Sequence, residues 1–170
     1  GNRLYWRVNL DCVGSGGYYQ VRYADRIGGV WGSPVCLAEP INVAGANTHP
    51  GSLSADQRFM VFASDRAGTL GAEDIFISEN VAGAWQAPTH VLGGVSSASQ
   101  DYGGSVSFDG RELYFASDRP GGYGSFDIYL SRCLPPGGMT IFSDDFESGT
   151  LGGSMHTRPG WSCMGGSCIS

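Results

Sequence analysis

The stretch FASDRAGTLGAEDIFIS, from Phe62 to Ser78, recurs almost unchanged as FASDRPGGYGSFDIYLS, from Phe115 to Ser131. The two copies lie 53 residues apart, and the same spacing separates Asp56 from Asp109 just upstream of them. Repetition at a fixed period of about 50 residues is typical of proteins that are built from repeated structural units. The duplicated stretch therefore predicts a repeat architecture.

A third copy precedes these two. The opening GNRLYW aligns with GRELYF and places Leu4 on Leu113, and the tryptophans of WGSP and WQAP, Trp31 and Trp85, are 54 residues apart. The chain thus contains three copies of one unit, and the first copy lacks its opening segment.

Each copy follows one pattern of short strands and turns. In the third copy GSVSF leads into Asp109-Gly110, a favoured tight turn, and is followed by ELYFAS, a glycine-rich loop and DIYLS. Residues 84–92 of the second copy, which contain Trp85 and Pro88, add a fourth strand. Four strands about every 50 residues are typical of a β-propeller blade, and no stretch has a helical period. The sequence predicts an all-β protein of about three four-stranded antiparallel blades, incomplete as a closed ring, with almost no helix and an extended C-terminal tail.

The predicted blades span residues 1–48, 49–101 and 102–132, and the fourth strand of the third blade lies near 138–143. Residues 133–170 form the predicted tail. Closed propellers typically have about four to eight blades. Three blades therefore indicate either a piece of a longer propeller or a chain whose missing parts come from another copy of itself.

The repeats resemble those of a known family. LSADQRFMVFASDR…EDIFIS and VSFDGRELYFASDRPGGYGSFDIYLS are similar, over about residues 1–132, to the WD-like Pro-Asp β-propeller repeats of TolB-type proteins. The usual Pro-Asp-Gly turn is replaced by 55–57 (Ala-Asp-Gln) and 108–110 (Phe-Asp-Gly). The resemblance implies a non-catalytic scaffold that binds proteins or other ligands, such as envelope proteins or glycans, in the bacterial envelope or outside the cell.

The tail carries a second, shorter resemblance. IFSDDFESGTLGG, residues 141–153, is similar to a C-terminal element of secreted proteobacterial proteins, with Asp145 in place of a glycine. Its acidic cluster Asp144, Asp145 and Glu147 is interpreted as a solvated linker, with weak calcium binding as the alternative. Both resemblances favour an extracellular or cell-surface location, with the periplasm as second choice.

Composition argues against several function classes. The net charge is −6, all ten basic residues are arginine and no basic cluster occurs, which argues against nucleic acid as a partner. No apolar run is long enough to span a membrane. There is no Gly-x-Ser-x-Gly elbow, and without lysine neither a Ser-Lys pair nor a phosphate loop can be built. We therefore predict no catalytic residue, no cofactor and no metal site, and interpret Trp31, Trp85, Tyr114 and Tyr129, which recur at repeat spacing, as blade core.

Five cysteines indicate an oxidising compartment. Cys163 and Cys168 are disulfide candidates, because no second close cysteine pair and no clustered histidines accompany them as a zinc site would require. An odd number leaves one cysteine free or bonded between chains, and Cys133 is the candidate for an intermolecular bond. His49, in NTHPGS, is interpreted as a solvated turn histidine.

The duplicated stretch places three polar side chains at identical spacing in copies two and three. The first aspartate should accept hydrogen bonds from N–H groups of its own loop, and the adjacent arginine should form a forked pair with the aspartate that opens the next strand. Calcium binding is the alternative, which the neighbouring arginine disfavours. The six residues of this predicted network are Asp65, Arg66, Asp74, Asp118, Arg119 and Asp127.

Copy one has lost all three members of this group. Asn9 and Leu10 align with the Asp-Arg pair, and Gln20 aligns with the second aspartate. Cys12 lies in the same loop, and Cys36 lies on the expected fourth strand. We therefore predict a Cys12–Cys36 disulfide that replaces the polar network.

Two functions fit these observations. The first is a non-catalytic extracellular structural protein whose copies assemble head to tail into a filament by strand complementation. The alternative is a piece of a larger secreted or periplasmic propeller that binds protein or glycan ligands.

Overall fold

The computed structural model describes residues 2–9, 12, 14 and 16–132, together with the strand backbone of 140–143 and 156–157. The strands form three antiparallel sheets in chain order. The first sheet contains β1 (Arg3–Asn9), β2 (Tyr19–Ile27), β3 (Val30–Trp31) and β4 (Val35–Cys36). The second contains β5 (Thr48–Leu53), β6 (Phe59–Ser64), β7 (Asp74–Val81), β8 (Ala84–Trp85) and β9 (Thr89–His90). The third contains β10 (Asp101–Val106), β11 (Glu112–Ser117), β12 (Asp127–Arg132), β13 (Thr140–Ser143) and β14 (His156–Thr157).

The predicted all-β fold of blade-type sheets is confirmed, and the described residues contain no helix. Corresponding strands carry the same register, because Phe62 pairs with Phe76 in sheet two and Phe115 pairs with Tyr129 in sheet three. In sheet one Trp6 occupies the corresponding position. The three sheets are called blades 1, 2 and 3 below.

The turn before β11 is the Asp-Gly turn that the sequence predicts. Asp109 accepts hydrogen bonds from the hydroxyl of Ser107 and the N–H of Arg111, and Gly110 takes a positive φ of 71°. The hydrogen bonds lower the pKa of the Asp109 carboxyl. A short acidic side chain and a glycine thus set the register of the hairpin locally.

The hydrophobic core lies between the blades. Successive residues of a strand face opposite sides of the sheet. Each blade therefore has a leading face toward the preceding blade and a trailing face toward the next one. One core cluster joins the trailing face of blade 1 to the leading face of blade 2: Val21, Leu37, Ile41, Met60, Phe62 and Phe76. The other joins blades 2 and 3: Val61, Ala63, Ile75, Ile77, Val91, Val95, Leu113, Phe115 and Tyr129.

The inner strands β5 and β10 approach each other through glycines. A Cβ placed on Gly51 would lie 2.3 Å from the carbonyl oxygen of Gly104, its equivalent in the next blade. Real Cβ atoms do not reach this distance, so glycine at position 51 permits the backbone contact between blades 2 and 3.

Two details differ from the sequence interpretation. The fourth strand of blade 2 is interrupted at Pro88 and forms two short pieces, β8 and β9, because proline cannot donate to the ladder. Trp31 is 47% exposed and therefore belongs to the surface, since β3 is a two-residue hairpin end that lies outside the interblade core.

The predicted fourth strand of blade 3 is present as β13, which pairs with β12. The cysteines Cys133, Cys163 and Cys168 and the acidic residues Asp144, Asp145 and Glu147 lie outside the described residues. Within the described part of the chain, no helix is long and apolar enough to cross a membrane.

Candidate functional site

Asp65 and Asp118 bind the connector that leads into their own blade. Asp65 accepts hydrogen bonds from the backbone N–H and the side-chain amide of Asn47, both at 2.6 Å. Asp118 accepts from the N–H of Gln100 at 2.8 Å. The prediction that these aspartates bind their own loop is wrong. Asp65 and Asp118 directly follow β6 and β11, and the connector enters the adjacent strand, β5 or β10, beside that point.

Arg66 and Arg119 do not pair with the aspartates of the next strand, so the predicted forked ion pair is also wrong. Arg66 donates to the carbonyl oxygens of Pro40 and Ile41, at 3.0 and 2.6 Å. Arg119 donates to the equivalent carbonyls of Gly94 and Val95, both at 2.6 Å. The guanidinium fork of each arginine binds two consecutive carbonyls of the connector from the preceding blade. Each arginine therefore links two neighbouring blades, and the two are called interblade staples below.

The two staples differ in one contact. Arg119 also binds the fully buried carboxylate of Asp101 at 2.6 Å, whereas the equivalent residue in blade 2 is Thr48. Burial lowers the pKa of Arg66 to about 10, so its guanidinium stays charged at neutral pH. Both guanidinium groups lie against the aromatic rings of their own blade, which adds cation–π attraction.

The aspartate that opens the third strand holds the glycine-rich loop. Asp74 is fully buried and accepts from the N–H of Leu70, and its other contact is His90 Nε2 at 2.9 Å. In blade 3, a Cβ on Gly122 would lie 1.6 Å from Asp127 Oδ2, so a side chain at position 122 would displace that carboxylate from the loop. The loop-holding role that the sequence indicated for Asp65 belongs to Asp74.

Blade 1 contains the disulfide at the pair that the sequence singles out. Cys12 and Cys36 are bonded, with their Cα atoms 5.6 Å apart. Arg22 of β2 donates to the sulfur of Cys36. The bond connects the loop after β1 to β4, where the polar network of the other blades is absent.

A polar cluster that the sequence interpretation missed lies where the three blades meet. Its centre, His49, is only 6% exposed, so the interpretation as a solvated turn histidine is wrong. The imidazole is buried because side chains of all three blades surround it. This junction cluster consists of Arg7 and Tyr19 of blade 1, His49 and Glu73 of blade 2, and Gln100 and Tyr102 at the start of blade 3.

The contacts assign the proton on His49. Arg7 Nη1 lies 2.9 Å from Nδ1, and a guanidinium can only donate, so Nδ1 is the unprotonated acceptor. Nε2 therefore carries the hydrogen and donates to Glu73 Oε1 at 3.0 Å. The second oxygen of Glu73 accepts from the amide of Gln100 at 3.3 Å. Both nitrogens of His49 and both oxygens of Glu73 are thus engaged inside the protein.

Glu73 should contribute stability that depends on pH. Burial alone would raise its pKa, but hydrogen bonds from His49 and Gln100 and the charge of Arg7 together hold the pKa below its usual value. The folded protein therefore binds fewer protons than the unfolded chain near pH 4, and stability rises with pH there. We expect the contribution to be complete above about pH 4.5 and to be lost as the pH falls through the lower, folded-state pKa.

Urea unfolding between pH 3 and pH 7 measures this effect. A Glu73→Gln variant should show a smaller loss of stability on acidification than the unaltered chain. Glu39→Gln removes an exposed carboxylate from a connector and serves as the matched control. Identical acid dependence of the Glu73 variant and the unaltered chain would contradict the assignment.

One signal in the sequence could have located the junction cluster. His49 and Tyr102 are 53 residues apart and hold the same repeat position, and Arg7 stands where the later copies have Ala63 and Ala116. A large cation at a position that is alanine elsewhere in the repeat indicates a local specialisation. Among the described residues, no group of three histidine, cysteine, aspartate or glutamate side chains is arranged to hold a metal.

Comparisons with known proteins show the fold. No protein-family model matches the sequence, and no curated protein matches it. Among solved structures, the chain is similar to a protein from Agrobacterium tumefaciens that has been assigned to TolB, with 17% identity and a TM-score of 0.54. The match covers 92% of this chain and 61% of that one, so the chain spans less than two thirds of this neighbour's length. The likeness shows a TolB-like β-rich fold.

Proposed function

We propose that this chain is a non-catalytic, extracellular interaction protein whose copies assemble head to tail. The observation that carries the proposal is that the two outer faces of the blade stack repeat the two sides of the buried interblade interface. The trailing face of blade 3 corresponds to the trailing face of blade 2, and the leading face of blade 1 corresponds to the leading faces of blades 2 and 3.

Equivalent residues have very different exposures on the inner and outer faces. Ile75 of blade 2 is fully buried against blade 3, whereas its equivalent Ile128 is 46% exposed, although Leu130 beside it is buried. Met60 is 1% exposed, whereas its equivalent Leu4 is 54% exposed. Apolar side chains that an interface would cover therefore remain at both outer faces, and a second copy offers the matching face.

The edge of β1 supplies the second part of the proposal. In blades 2 and 3 an inner strand pairs with the strand equivalent to β1, whereas β1 itself pairs only with β2 among the described strands. An unpaired edge is a template for strand addition. A segment from a neighbouring copy would complete blade 1 and reinforce a head-to-tail contact that builds a filament unless it closes a ring.

The remaining features support this proposal. The Cys12–Cys36 disulfide favours an oxidising location outside the cytoplasm. Internal hydrogen bonds occupy His49 and Glu73, which supports a structural rather than a catalytic role for the junction cluster.

Replacing Ile128 with aspartate should weaken association. Burying this side chain contributes about 2 kcal/mol, so the association constant should fall roughly thirtyfold while each copy stays folded. Sedimentation velocity and electron microscopy of filaments measure the effect. The control is Ile27→Asp, which changes an aliphatic side chain that is 79% exposed at the end of β2, beside the turn to β3. A chain that remains monomeric at high concentration, or equal association of the two variants, would refute the proposal.

A second candidate function is a binding module within a longer propeller. The 61% coverage of the TolB structure favours it, because further blades would cover the outer faces. Binding to envelope proteins or glycans, measured on arrays with a chain that remains monomeric, would support this function over self-assembly.

A further inference from the structure

Among the described strands β1 pairs only with β2, and its other edge presents backbone groups in a defined register. The carbonyl of Asn2 accepts a hydrogen bond from the N–H of Arg26 in β2. Because the backbone groups of an antiparallel strand alternate between its two edges, those of Arg3, Tyr5 and Arg7 point away from β2. An added strand would therefore form hydrogen bonds with these three residues.

Arg7 on this edge is held in place through one nitrogen of its guanidinium, Nη1. Nη1 uses both of its hydrogens, on His49 Nδ1 and on the hydroxyl of Tyr102, at 2.9 and 2.8 Å. The guanidinium also lies over the ring of Tyr19, 4.5 Å from its centroid. Nε and Nη2 donate to none of the described residues, and Arg7 is exposed. A planar cation that is fixed at Nη1 and open at Nε and Nη2 suits a carboxylate that binds with both oxygens.

Blades 2 and 3 show what an inner strand places at this position. His49 of β5 pairs with Ala63, and Tyr102 of β10 pairs with Ala116. Arg7 takes the position of these two alanines. A strand added to β1 in the same antiparallel register would place one side chain opposite Arg7 on the same face, with the two Cβ atoms about 5 Å apart.

We infer that this edge binds an extended acidic segment, one carboxylate of which pairs with Arg7. The inference rests on the strand complementation proposed above and names its occupant as residues 144–150, DDFESGT, of a second copy. The segment has seven residues, as β1 has, and alternation in an extended strand places Asp145 and Glu147 on one face. Glu73 of the junction cluster does not compete for Arg7, because His49 and Gln100 engage its oxygens.

The test uses the full chain and two end-capped peptides. One has the sequence of residues 144–150, and the other carries Asp144→Asn, Asp145→Asn and Glu147→Gln. We expect the acidic peptide to bind roughly tenfold more tightly in isothermal titration, because hydrogen bonds to charged groups are stronger than those between neutral groups. The net charge of −6 on the chain would favour the amide peptide in the absence of a specific site.

Variants identify the residue responsible. Arg7→Gln should bind the two peptides equally, and Arg7→Lys, which keeps the charge but not the fork, should keep only part of the preference. Arg58→Gln removes an exposed arginine that pairs with Glu79 and should keep the full preference. Absence of binding, equal binding of both peptides to the unaltered chain, or an undiminished preference in both Arg7 variants would overturn the inference.

Sedimentation of the chain alone separates this inference from the proposed assembly. Copies that associate without any preference for the acidic peptide would refute the Arg7 site alone. A monomeric chain that binds the acidic peptide through Arg7 would refute the assembly and the second copy as occupant, and would leave only the Arg7 site for an acidic segment.

Discussion

Replacing Arg119 with alanine should lower the free energy of unfolding by about 3–5 kcal/mol. The guanidinium binds the fully buried carboxylate of Asp101 and the carbonyl oxygens of Gly94 and Val95. Without it, Asp101 keeps only its hydrogen bonds from the N–H and hydroxyl of Ser97. A buried charge would then lack its countercharge, and two carbonyls would lose their donors.

Urea unfolding of three further variants tests the reason for this loss. Arg119→Lys should recover little, because an ammonium cannot bind two carbonyls and a carboxylate in one plane. Arg66→Ala removes the equivalent fork without a buried acid and should lower stability by only about 1–3 kcal/mol. Arg111→Ala changes an exposed side chain and should stay within about 0.5 kcal/mol of the unaltered chain. An equal loss for the Arg119 and Arg66 variants would show that Asp101 contributes nothing.

Removing the disulfide with Cys12→Ser and Cys36→Ser should lower the free energy of unfolding by about 3–4 kcal/mol. The bond joins residues 24 apart in sequence, and closing a loop of this length restricts the unfolded chain by that amount in the chain-entropy model. Blade 1 depends on the bond because it lacks the Asp-Arg staple of the other blades.

Reductant provides the control for this prediction. Urea unfolding of the unaltered chain with reductant should match the double variant, and reductant should leave the double variant unchanged. If reductant destabilises the double variant as much as the unaltered chain, the stabilisation comes from other cysteines, and Cys163 and Cys168 become the first pair to examine.

Much of the fold follows from features that are local in sequence. Alternation along ELYFAS predicts a strand, and Asp109-Gly110 predicts the turn before it, because both depend on residues within a few positions of each other. Because the repeat period is 53 residues, each strand or turn predicted in one blade is also predicted at the equivalent residues of the next blade. The position of Cys12 on the loop and Cys36 on the fourth strand was also sufficient to single out that pair.

The hydrogen-bond partners of the polar side chains could not be predicted in the same way. Arg66 has Asp74 eight positions ahead, and sequence spacing alone favours that ion pair. The carbonyls of Pro40 and Ile41, some 25 residues before it, come within reach only when blade 2 packs on the connector from blade 1. The burial of His49 has the same origin, because it needs Arg7 and Tyr102 from the two neighbouring blades.

Reading the sequence was enough to infer the all-β class, the repeat, the strand positions and the candidate disulfide, since these depend on periodicity and short-range turn chemistry. Packing of the blades was needed to show that the repeated arginine links two blades, that His49 is the centre of a three-blade cluster and that Nε and Nη2 of Arg7 donate to none of the described residues. Desolvation explains this difference. A polar side chain with several partners within reach binds the groups that lose water when the blades pack together, and packing joins residues that lie far apart in the sequence.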